Sequence, residues 1–151
     1  LDGYRTALED AGLAFDPTLV EGGYWQAEGA YEATMKLLDR EPGITAVFAQ
    51  NDTMALGVLS ALGARGIGVP DDCAVVGCDD IPIAAHTIPP LTTVHVPFFE
   101  TGETAVRLLL DLISGEENTR RRVLLPVRLV RRASCGAGAE LASGNAVSGE
   151  E

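Results

Sequence analysis

Two short apolar runs, residues 45–49 and 74–78, each close on polar residues: Gln50 and Asn51 after the first, Asp79 and Asp80 after the second. Between them Met54, Leu56, Val58, Leu59, Ala61 and Leu62 recur as a mostly apolar helix that exits through Gly63, Gly66 and Gly68. The pattern predicts strand, helix, strand, with both strands of the fully buried kind. A right-handed crossover between parallel strands brings both polar ends to one edge of the sheet. Open α/β sheets bind ligands at that carboxyl edge, so Asn51, Asp52, Asp79 and Asp80 gather where a ligand sits.

The same alternation continues on either side. Leu1, Tyr4, Ala7, Leu8 and Ala11 give a first helix over 1–12, stopped by Gly12, and a short strand is expected over 18–20. The Gly22-Gly23 turn leads to Tyr24 and Trp25, then to a helix over 26–40 ended by Pro42 and Gly43. A proline-bearing loop over 81–90 precedes a short strand or extended linker over 91–95 and a helix over 99–114. That helix carries only a narrow polar stripe of Glu100, Glu103, Arg107 and Asp111, the mark of burial on more than one side. Residues 123–131 read as a last strand, which Pro126 marks as an edge or bulge, and 133–151, rich in Gly, Ala, Ser and Glu, as a disordered tail. The fold class is α/β, a doubly wound, mostly parallel sheet. An opening inside a helix, without a cap or a Met, suggests that an upstream segment has been cut away.

Composition narrows the function. A chain of 151 residues, 46% hydrophobic with mean hydropathy +0.15, suits one globular domain. Its net charge of −11 excludes nucleic-acid binding through its own surface. No run approaches the roughly 20 apolar residues of a membrane span. Cys73, Cys78 and Cys135 lack metal-type spacing and read as small buried hydrophobes of a reducing compartment.

Candidate chemistry sits at the strand ends. Asp52, at a helix start, reads first as a cap, whereas Asn51 one residue earlier points toward a ligand as donor and acceptor together. Asp79 directly follows the second strand, and a carboxylate there can accept from two neighbouring hydroxyls of a polyol. Asp80 is the weaker candidate. Trp25, the sole tryptophan, either packs down on the core or stacks on a sugar or base. Phe98 is a similar aromatic wall, while Phe99 is expected in the core. His86 and His95 have no acidic residue at metal spacing, so no metal is expected. Neither a nucleophile elbow nor a phosphate loop follows a strand, so no enzyme and no catalytic residue is expected. A phosphoacceptor site of Asp52, Asp79 and Asp80 lacks the lysine it needs at a later strand end, since Lys36 lies on a helix.

Read together, the segments GYRTAL, TAVFAQNDTMALGVLSALGARGIGVPDD, AVVGCDD, PPLTTVHVPF, ETGETAVRLLLDLISG and LLPVRLVRR resemble the effector-binding core of the lactose/galactose-repressor family of bacterial transcription regulators. NDTMALG, VVGCDD and PPLTTV are the most specific pieces, and the likeness runs to Arg132. It implies a two-lobed core similar to periplasmic sugar-binding proteins, with effector between the lobes and a separate N-terminal helix-turn-helix on operator DNA. The chain then corresponds to the C-terminal lobe over 1–95, a crossover helix segment toward the N-terminal lobe over 96–122, a returning strand over 123–132 and the tail over 133–151.

By the same resemblance the pocket pattern maps onto Trp25, Asn51, Asp79 and Phe98, with no cofactor. An effector-contacting arginine that commonly precedes the GY motif falls outside the chain, leaving a sugar, a nucleoside or a purine-like metabolite as effector. Operator DNA is a partner only through the helix-turn-helix. A homodimer is implied through the helix over 54–64 and the loop over 82–88, where Met54, Ala55, Val58 and Leu62 form a face that admits a close partner. The implied setting is the cytoplasm, away from membranes; the alternative is the C-terminal lobe of a periplasmic solute-binding protein. Holding half a pocket, the chain alone should bind ligand weakly or undetectably, and the bare sides of the helix over 98–114 should drive association or leave that helix displaced.

Overall fold

The computed structural model describes residues 1–115 and 122–136. In chain order it contains α1 (Asp2–Asp10), a 3-10 turn at Pro17–Leu19, α2 (Ala27–Arg40), β1 (Ala46–Phe48), α3 (Asp52–Ala64) and β2 (Ala74–Asp79). A 3-10 turn at Pro82–His86, β3 (Thr92–His95), α4 (Phe98–Ile113), β4 (Arg128–Val130) and a 3-10 turn at Ala133–Cys135 follow. The strands form one sheet in the order β1-β2-β3-β4. β1 and β3 run parallel to β2, with Phe48 opposite Val76 and His95 opposite Asp79, and β4 closes the edge antiparallel to β3. The expected α/β class with a mostly parallel sheet is what the chain adopts.

The core lies where α3 packs on β2. Ala55, Leu62, Val75 and Leu91 are fully shielded, and Val58 and Leu38 of α2 nearly so. Each large apolar side chain placed there contributes about 1.5–3 kcal/mol. α2 lies against α3 so closely that a Cβ on Gly57 would stand 2.0 Å from the Ala27 carbonyl oxygen. Because Ala55, Val58 and Leu62 fill this core, they are not the partner-admitting face expected of them, and only Met54 of that set is half-buried.

Several local expectations give way to hydrogen bonding and strand position. Residues 18–20 form no strand: the Asp16 carboxylate accepts from the amide and hydroxyl of Thr18, at 2.8 and 2.6 Å, and winds Pro17–Leu19 into a 3-10 turn. β1 is not fully buried, because among the described residues it has a sheet neighbour on one side only; Ala46 and Phe48 are exposed. A cavity of about 430 Å³ runs beside that strand, walled by Tyr4 and Leu8 of α1, Ala33 and Leu37 of α2, and Phe48 itself. The last strand is confined to Arg128–Val130.

The tail does not begin disordered at residue 133. Ser134 is fully buried, accepting from the Thr92 amide at 2.8 Å and donating to the Val75 carbonyl at 2.5 Å. Residues 137–151, like most of the charged turn over 116–122, lie outside the described residues. α4 has no buried residue, and Phe99, expected in the core, is 80% exposed. A narrow polar stripe therefore marks a helix suited to burial, with nothing among the described residues burying it. No helix among them is long and apolar enough to cross a membrane.

Candidate functional site

The parallel register brings the polar strand ends level. Phe48 pairs with Val76, so Asn51 and Asp79 each lie three residues past a matched pair, and Asp79 in turn pairs with His95. Phe98, 60% exposed, opens α4 three residues beyond His95. The turn before α2 reaches the same edge, since a Cβ on Gly23 would meet the Met54 side chain in the first turn of α3 at 2.6 Å. Trp25, two residues on, is 66% exposed and not packed on the core. The four candidates thus share one edge of the sheet.

Backbone strain concentrates here as well. Among the described residues, the non-glycine positions with positive φ are Tyr24 (52°), Trp25 (61°), Asp79 (116°) and Asp80 (58°). Such conformations cost about 1–3 kcal/mol each and persist where the surroundings impose them, most often at ligand sites. Here they fall on two aromatic residues, Tyr24 and Trp25, 83% and 66% exposed, and on the two aspartates that close β2.

The cap of α3 is not the residue expected. Asn51 is the cap: its Oδ1 accepts from the Met54 amide at 2.6 Å, a bond that does not use its Nδ2 protons. Asp52, the expected cap, is wholly buried. Its Oδ2 accepts from the Ile81 amide at 2.9 Å and its Oδ1 from the Thr93 hydroxyl at 2.6 Å. A sequence signal for this existed in Gly77, the glycine in the middle of β2, where a Cβ would stand 2.2 Å from Asp52 Oδ1.

Asp79 and Asp80 differ in electrostatics. Burial would raise the Asp80 carboxyl, but hydrogen bonds and charge from Arg132 (2.7 Å) and His95 (3.0 Å) outweigh it and hold that carboxyl below the usual range. Asp79 goes the other way: burial and the Asp52 charge push it up, and a hydrogen bond with the Cys78 thiol offsets only part of this. An under-compensated carboxylate gains most from hydroxyl donors brought by a ligand. His95 and Arg132, unremarked as a pair in the sequence, are therefore what fixes Asp80 as a structural group.

Residues 1–135 match the family model of the periplasmic binding protein-like domain. The HTH-type transcriptional regulator CelR of Thermobifida fusca is 44% identical over 134 residues, 89% of this chain and 39% of that protein. Among solved structures, the transcriptional regulator CelR–cellobiose complex superposes with a TM-score of 0.84 at 44% identity, covering 87% of this chain and 40% of that one. The lac repressor dimer bound to operator and the anti-inducer ONPF gives 0.82 at 35% identity, covering 89% and 40%. The chain spans about two fifths of the length of the relatives it matches.

Proposed function

The chain belongs to the periplasmic-binding-protein-like domain family, in the form carried by LacI-type transcriptional regulators, and from that premise we propose that it is effector-sensing: the ligand-holding and self-associating part of a DNA-binding repressor. The rim of Trp25, Asn51, Asp79 and Phe98 takes a small sugar, with Asp79 and the Asn51 amide on its hydroxyls and the indole and phenyl rings on its apolar face. The observation that carries this is the level placement of Asn51 and Asp79 past matched strand pairs, with the strained Trp25 turn beside them. That the CelR structure holds cellobiose favours a sugar over a nucleoside or purine. Relatives named as HTH-type regulators favour the repressor over a periplasmic solute-binding protein.

No chemistry is needed. Effector bound between two lobes shifts a closure equilibrium by its differential affinity, and in the whole protein that shift reaches operator DNA through another part of the molecule. Pairing of two copies uses the loop at Pro82–His86 and beyond, where Ile83 is 45% and Ile88 95% exposed.

The test uses Trp25, the only tryptophan. Cellobiose at millimolar concentration shifts its emission, and Asp79→Ala abolishes the shift. Micromolar affinity for the isolated chain contradicts a half-pocket, and a sugar-driven shift that Asp79→Ala leaves intact contradicts the site.

A further inference from the structure

The Asp79–Asp80 turn is held from beneath. Its two following amides both end on one buried pair: the Ile81 N–H on Asp52 Oδ2 at 2.9 Å, and the Asp80 N–H on Thr93 Oγ1 at 3.4 Å, whose own hydroxyl donates to Asp52 Oδ1 at 2.6 Å. Asp52 and Thr93 are both fully buried. A carboxylate in that position is expensive unless every lone pair it turns inward is met, and here both oxygens are. The missing Cβ of Gly77 supplies the room, since the Asp52 carboxylate occupies the space where that Cβ would stand.

We propose that Asp52, acting with Thr93, is the positioning residue of the rim: it clamps the strained turn after β2 and so fixes where Asp79 presents its carboxylate to the ligand. The assignment rests on the reading that Asp79 meets the ligand, but the clamp is measurable without any ligand. Strain alone would let the turn relax, since Asp79 and Asp80 both stand at positive φ. The groups around it are Asp52 from α3, Cys78 from β2, His95 from β3, and Arg132 beyond β4, with Arg128 opposite His95 in the ladder.

The test compares the 151-residue chain with Asp52→Ala, Asp52→Asn, Thr93→Val and Thr93→Ser, and with the core control Leu38→Ala. NMR follows amide exchange at Asp80 and Ile81 and the carboxyl titration of Asp79. Asp52→Ala and Thr93→Val speed exchange at those two amides roughly ten- to hundredfold, and Thr93→Ser restores it. The near-isosteric Asp52→Asn lowers the Asp79 titration, because it removes a negative neighbour. Leu38→Ala lowers the melting temperature and leaves the Asp79 curve in place. If Asp52→Ala fails to fold, the Thr93 pair decides alone. Exchange at Asp80 and Ile81 that stays at the wild-type rate in Thr93→Val, or that Leu38→Ala speeds equally, overturns the clamp. With the clamp intact and cellobiose leaving Asp79 unmoved, the sugar reading fails and the clamp stands.

Discussion

Of the two adjacent aspartates that close β2, Asp80 shares its carboxylate between Arg132 and His95, at 2.7 and 3.0 Å, whereas Asp79 carries the raised carboxyl. Asp80 titrates below its unfolded value of 3.8 in the folded chain, so it stabilises above that pH and its contribution is lost as pH falls through the folded value. Arg132→Met therefore lowers the urea midpoint most near neutral pH, and the gap to wild type narrows below 3.8. A gap that widens in acid contradicts the pairing. Ser134→Ala strands the Thr92 amide and the Val75 carbonyl in a buried site and destabilises by about 1–3 kcal/mol in urea titration. The strand-end position of Asn51 and Asp79 was legible from the apolar runs. Which of Asn51 and Asp52 caps the helix was not, because the choice turns on Thr93 and Ile81, distant in sequence and adjacent only once β3 is in place.

At the scale of elements, apolar spacing located the helices well, since each presents a face at a regular period. It could not say what that face meets. The apolar side of α3 fills the core with Ala55, Val58 and Leu62, whereas the equally apolar α4 buries nothing among the described residues. Leu62→Ala is accordingly expected to destabilise by about 2–5 kcal/mol. Leu109→Glu and Ile113→Glu on α4, at 55% and 74% exposure, change stability by less than about 0.5 kcal/mol. Chemical denaturation of the three variants checks both. The strand expected at 18–20 failed for a local reason: an Asp16–Thr18 hydrogen bond winds the segment into a 3-10 turn.

For the whole molecule, the exposed apolar side chains of α4, among them Val106, Leu109, Leu110 and Ile113, favour self-association. Sedimentation velocity is expected to show mass rising with concentration, and Leu109→Glu with Ile113→Glu to suppress the rise; a monomer at all concentrations contradicts this. The fold class and the family were readable because strand-end motifs such as NDTMALG and VVGCDD lie within short stretches. The open flank of β1 was not, because a sequence carries no mark of which strand edge stays unpaired.

Ligand is expected to meet the edge shared by Trp25, Asn51, Asp79 and Phe98, and not the cavity of about 430 Å³ between α1 and β1. Mapping amide shifts by NMR during titration with cellobiose decides between them. Weak binding is expected, with movement confined to the turns at Tyr24–Trp25, Asn51–Asp52, Asp79–Asp80 and Pro97–Phe98. Shifts centred on Tyr4, Leu8, Leu37 and Phe48, with the rim silent, would contradict it.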